Sequence, residues 1–269
     1  MDEPIGVFDS GLGGLTVVHA IRERIPGERL IYLGDTARVP YGTRSAETVV
    51  KYALACARQL VARDVKMLVV ACNTVSAVAL EALREELGIP VLGVIEPGAR
   101  AGARASRSGR VGVLATSGTV SSGAYERALR AVDPSLQVVT QAAPLFVPLA
   151  EEGWVEGEVP ERVAERYLAP LVPHEIDSLV LGCTHYPLLA PVIRDVARRL
   201  FPSEVTVVDS AAATALELDR LLDERGLRSS RGERGLEVLV TDQPGAFSIV
   251  ASRFLGESLG DFPVESIDL

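Results

Sequence analysis

The stretch LVLGCTHYP, Leu179 to Pro187, runs a short apolar segment straight into a cysteine, a threonine and a histidine before a proline halts it. An apolar run of this length without polar alternation fits a strand covered on both faces, as in a parallel sheet flanked by helices. IGVF, LIYL, MLVVA, VLGV, RVGVL, LQVVT, VTVVD and LEVLV read the same way. Between them, SAETVVKYALACARQLVARD carries Val49, Val50, Ala53, Ala57, Leu60 and Val61 at helical spacing, and SAVALEALREELG is expected to end on a capping Gly88. The fold class is therefore α/β, with mainly parallel sheets.

A weak internal repeat divides the chain. LVVACNT (68–74) aligns without gaps on LVLGCTH (179–185), and GVFDSG (6–11) aligns nearly as well on GVLATSG (112–118). Two similar, pseudo-symmetric halves are expected. EPGARAGARASRSGR (96–110) falls between them as helix plus crossover, and RGLRSSRGERG (225–235) reads as a surface loop.

Bulk properties exclude several classes. The formal net charge of −9 argues against nucleic acid or an anionic membrane as partner, because nonspecific binding to either needs a basic face. No run reaches the roughly 18 consecutive apolar residues of a membrane span, and no secretory leader is visible, so a cytoplasmic location is expected. Three widely spaced cysteines form no disulfide framework and no paired structural-zinc motif.

In open parallel sheets ligands gather at the carboxyl ends of strands. Cys72 and Cys183 stand at two such ends, followed by Asn73-Thr74 and Thr184-His185. A helix starting just after each strand would lower the thiol pKa. Cys56, on an apolar helix face, reads as a small buried hydrophobe. DSGLGG, Asp9 to Gly14, offers a carboxylate, the Ser10 hydroxyl and backbone amides for an anion, or simply a structural turn; it matches neither nucleotide-phosphate motif. GDTARVPYG places Tyr41 and the Gly42 amide near the same crevice, while Thr116 and Thr119 in GVLATSGTVSSGAY serve either as ligand donors or as N-caps. His185 can orient or polarise Cys183, whereas His19 and His174 default to structure. Glu151 and Glu152 read as a solvated helix start.

Two thiols on two facing halves would approach one bound molecule from opposite sides of a cleft, which is what inversion at carbon requires: one base removes a proton and an acid on the other face returns one. A thiol hydrolase would need only one of them. Pyridoxal phosphate chemistry needs a suitably placed lysine, and the two present are Lys51 within a helix and Lys66 ahead of a strand. Zinc on Cys72, Cys183 and His185 ranks below proton transfer.

FDSGLGG, GDTARVPYG, ACNTVS, GVLATSGTVSSGAY, FVPLAEEG and GCTHYP, in this order across residues 8–187, resemble the motifs of bacterial glutamate racemase, and VTVVDS followed by AAATALELDRLL also fits. The resemblance implies interconversion of L- and D-glutamate without cofactor or metal, supplying D-glutamate for peptidoglycan, in a homodimer. It implies two α/β domains, 1–97 plus 207–269 and 98–206, enclosing the substrate. By position, Cys72 would act on the D-enantiomer with help from Asp9. Cys183 would act on the L-enantiomer with help from His185 and Glu151. Asp9, Ser10, Tyr41, Gly42, Asn73, Thr74, Thr116, Thr119, Thr184 and His185 match substrate-contacting positions.

Overall fold

The computed structural model describes residues 2–232, 234–242, 244–259 and 262–269. The chain divides into two units, residues 1–94 with 211–269, and residues 95–210. The first holds β1 (Ile5–Asp9), β2 (Arg29–Gly34), β3 (Met67–Val70) and β4 (Val91–Gly93). After β5 (Arg110–Ala115), β6 (Gln137–Ala142), β7 (Ser178–Gly182) and β8 (Thr206–Asp209) of the second unit, the first gains β9 (Gly235–Val240) and β10 (Val264–Ser266). The strand orders are β10-β9-β2-β1-β3-β4 and β6-β5-β7-β8, with every described pair parallel.

The sequence repeat is thus a repeat of topology. In each unit the strand that opens the pattern, β1 or β5, is central, flanked by the next strand on one side and, on the other, by the strand that a cysteine follows. The apolar runs are buried as two-sided strands should be: every residue of β1, β3 and β7 is buried. The helix Ala46–Val61 lays Val49, Ala53, Cys56, Ala57 and Leu60 on the first sheet, its N-terminus capped by Ser45, whose side chain accepts the Thr48 N–H.

Four expectations are corrected. The first boundary falls at Ile95, because the whole helix Ile95–Ala105 packs within the second unit; the chain returns at Ala211 rather than 207, because β8 pairs in register with β7. SAVALEALREELG forms two helices, Asn73–Val78 and Leu80–Glu86, and the second ends on Leu87 in extended conformation, leaving Gly88 without a capping role. Glu151 and Glu152 close the helix Phe146–Glu152 rather than start one, with Gly153 as its left-handed cap. Strand β10 is additional to the nine legible runs; at three residues, two of them exposed, it carries no apolar run. The 225–235 loop is held by Ser229 N–H on Glu28 and Ser230 N–H on Asp2, with Glu233 outside the described residues.

Among the described residues, no helix is long and apolar enough to cross a membrane. The helix Ile95–Ala105 lies so close to the second sheet that a Cβ on Gly102 would stand 2.4 Å from Val180 Cγ2. Gly102→Ala should therefore destabilise by ~1–2 kcal/mol, the overpacking cost outweighing the gain in helix propensity. Thermal denaturation should show a melting temperature a few degrees lower; an unchanged or higher value would mean that the helix can lift off at no cost.

Candidate active site

In the first unit, β1 and β3 end side by side. The register pairs Phe8 with Val70, and Ala71 N–H donates to the Phe8 carbonyl at 2.8 Å, so Cys72 leaves the sheet beside the Asp9–Gly14 turn. Ser10 Oγ lies 3.2 Å from Cys72 Sγ. Asp9 is buried, with Oδ2 accepting the Gly11 N–H at 2.9 Å, and the buried Tyr32 hydroxyl donates to the Gly11 carbonyl at 2.9 Å. Glycine is required here: a Cβ on Gly14 would come within 2.5 Å of Asp9 Cβ, and one on Gly34 within 2.1 Å of the Gly11 oxygen. Asn73 and Thr74 open the helix that Cys72 precedes, and both are buried.

The loop after β2 carries Tyr41 and Gly42. The Tyr41 ring turns inward: its hydroxyl donates to Asp35 Oδ2, which also accepts Arg38 Nε–H at 2.7 Å, while Thr241 donates to Oδ1 at 2.9 Å. Burial, then the charge of Cys56 and the bond to Asp35, push the Tyr41 phenol far above its ordinary pKa. What Tyr41 and Gly42 offer outward is therefore main chain. Cys56 is wholly buried and its thiol is pushed up chiefly by that burial, consistent with a structural role.

In the second unit, β7 delivers Cys183, Thr184 and His185 beside the end of β5, where Thr116 and Thr119 begin the next helix. His185 bridges two groups: Nδ1 lies 3.8 Å from Cys183 Sγ and 3.4 Å from the Thr184 hydroxyl, and Nε2 lies 3.0 Å from Glu151 Oε1. Burial alone would pull the imidazole pKa down, but hydrogen bonds to Cys183 and Glu151, with their charges, outweigh it and push the value up to about 10. Glu151 stands in the last turn of its helix, where the dipole disfavours a carboxylate, and the imidazolium compensates. Thr116 realises the N-cap role, accepting the Thr119 N–H at 3.3 Å, and its hydroxyl lies 3.0 Å from Thr119 Oγ1.

Contrary to expectation, no helix starts directly after Cys183; a 3-10 turn begins at Tyr186. That tyrosine anchors the site from below. Its hydroxyl donates to the Ala143 carbonyl at 2.8 Å, and its ring meets Phe146 edge-on, which meets Tyr167 likewise. This aromatic row ties the Glu151 helix to the His185 loop. Asp35 and Tyr186 lie inside motifs visible in the sequence, yet only the fold reveals what they hold. His174 is exposed, and His19 lies in the helix Leu15–Arg24 near Gly256. Lys51 is exposed, and Lys66 is buried against Glu28 at 2.6 Å at the amino end of β3, away from the thiol.

Residues 12–218 match the Asp/Glu/Hydantoin racemase family. The chain is 54% identical over 258 residues to the glutamate racemase of Geobacter metallireducens, covering 96% of this chain and 94% of that one. Among solved structures, the glutamate racemase of Bacillus anthracis superposes with a TM-score of 0.91 at 39% identity, covering 99% of this chain and 98% of the other. That of Francisella tularensis, in complex with D-glutamate, gives 0.91 at 36% identity, covering 100% and 98%.

The His185 pair makes a signed prediction. With a folded-state pKa above the unfolded ~6.5, protonated His185 contributes stability that is complete below that value and is lost as pH rises through about 10. Glu151→Gln removes one of the two supporting charges, so the imidazole should titrate well below about 10 by NMR. Titration still near that value would place the cause elsewhere.

Proposed function

The chain belongs to the Asp/Glu/Hydantoin racemase family, and from that premise we propose that it interconverts L- and D-glutamate by a two-base mechanism on Cys72 and Cys183. The observation carrying this reading is that in each unit a strand is followed by a thiol with its own polar partners: Ser10 and the Asp9 turn for Cys72, His185 and Glu151 for Cys183. A hydrolase or a single-base enzyme has no use for the second set.

In the L-to-D direction the Cys183 thiolate takes the α-proton, forming S–H and leaving a planar carbanion. The Cys72 thiol then gives its proton to the opposite face and becomes a thiolate. The reverse reaction exchanges the roles. His185, charged through the neutral range, stands beside the Cys183 sulfur, with Glu151 holding the ring. Asp9 serves the Cys72 side.

Ser10, Asn73, Thr74, Thr116, Thr119, Thr184 and His185, with the main chain at Tyr41 and Gly42, hold the ammonium and carboxylate groups of the substrate. These are fixed donors and acceptors at strand ends, able to favour the charge that develops on the enolate-like intermediate. No cofactor is needed for the step as written. The product is D-glutamate for peptidoglycan, made in the cytoplasm by a homodimer.

Cys72→Ser and Cys183→Ser should each lower racemisation by about 10²–10⁴-fold. Wild-type turnover in either variant would remove the two-base mechanism. A kcat/KM for glutamate well above that for aspartate is the expected specificity, and the reverse order would reassign the substrate within the family.

A further inference from the structure

Two of the sequence motifs end on residues that have no part in the mechanism above. Tyr125 closes GVLATSGTVSSGAY, and Ser210 closes VTVVDS. Both are buried, with 2% and 3% exposure. Both converge on the strand end that carries Cys183. Ser210 Oγ donates to the Leu181 carbonyl at 2.9 Å, two residues before the thiol. The Tyr125 side chain hydrogen-bonds Ser210. Since the single serine proton is committed to Leu181, the phenol is the donor in that second bond.

The ring of Tyr125 fills the space beneath the next residue. A Cβ on Gly182 would stand 2.7 Å from Tyr125 Cε2 and 3.0 Å from the Leu114 carbonyl oxygen, and one on Gly98 would stand 3.1 Å from Ser210 Cβ and 3.2 Å from the Tyr125 hydroxyl. The two glycines and the two hydroxyls are thus a matched set. In the aligned position of the first unit, Ala71 precedes Cys72 and the Val70 carbonyl accepts the Ser76 hydroxyl at 2.9 Å, so a serine bond two residues before the sulfur is common to both thiols, while the tyrosine ring packed against a glycine belongs to the second. Burial, together with the nearby charge of Cys183, keeps the phenol protonated and available as a donor.

We infer that Tyr125 and Ser210 are positioning residues for Cys183. Their hydroxyl chain fixes the Leu181 carbonyl, and the tyrosine ring fixes the height of the Gly182 backbone. Between them they set where the sulfur stands relative to the substrate α-carbon. Neither touches substrate. The inference rests on the two-thiol reading of the site and assigns the support of one thiol within it.

Tyr125→Phe keeps the ring and removes the hydroxyl; Ser210→Ala removes the link to Leu181. Each should lower kcat about five- to tenfold and leave KM within about a factor of two, as expected for a small misplacement of one reacting group. The distinguishing readout is the primary isotope effect with each α-deuterated enantiomer. Slowing only the Cys183 step makes it more rate-limiting, so the effect on kcat/KM should rise with deuterated L-glutamate and fall with deuterated D-glutamate. This ratio does not depend on the fraction of enzyme folded.

Wild-type isotope effects in both variants, or an equal change with both enantiomers, would overturn the assignment. Failure of the two-thiol reading registers elsewhere, as turnover retained by Cys72→Ser or Cys183→Ser. A second, structural arm uses Gly182→Ala, which should lose activity against the Tyr125 ring and regain part of it when combined with Tyr125→Leu. Strict additivity of the two substitutions would contradict the proposed contact.

Discussion

Proton exchange at carbon demands approach to about 3–3.5 Å in a defined direction, and in both units the element that holds a sulfur in place is the end of a strand paired to the central strand. The Phe8–Val70 and Ala115–Gly182 pairs fix the last rungs of the two ladders, and the cysteine follows within one or two residues. A parallel ladder buried on both faces has little freedom to slip, since a one-residue shift would exchange the close-packed side chains of its two faces and misfit both. The rest of each site is built around those two points: a glycine-rich turn beside Cys72, and a histidine loop with its carboxylate beside Cys183.

The repeat supplies the frame twice but not the same chemistry. In the first unit the thiol meets a hydroxyl at 3.2 Å next to a buried carboxylate, within a turn that leaves no room for side chains at Gly14 and Gly34. In the second, an imidazole stands between thiol and carboxylate, with its pKa raised well into the alkaline range. An enzyme that must start from either enantiomer needs comparable barriers on both faces of the carbon. It has no need for identical groups to provide them.

Much of this was legible in the sequence because it rests on local signals. Nine strands followed from apolar runs, and the two halves followed from the gapless alignment of LVVACNT with LVLGCTH. Both thiols were marked by their place at strand ends. What escaped reading depends on contacts between distant segments. Asp35 gains its meaning from Thr241, 206 residues away, and nothing in GDTARVPYG alone says that the Tyr41 ring turns inward. The pairing of His185 with Glu151 spans 34 residues and reverses the local reading of Glu151 as a solvated helix start. The boundary at which the chain returns to the first unit shifted because β8 pairs with β7, a choice of neighbour that apolar runs do not encode.

The central claim is that separate thiols serve opposite faces of one carbon, and hydrogen isotope tracing at low conversion in deuterated water tests it most directly. Starting from protiated L-glutamate, the D-glutamate formed should carry deuterium at its α-carbon from the first turnovers, while the remaining L-glutamate stays protiated. Equal label in both enantiomers would indicate one base serving both faces. Inverted product that keeps its original hydrogen would likewise contradict the account.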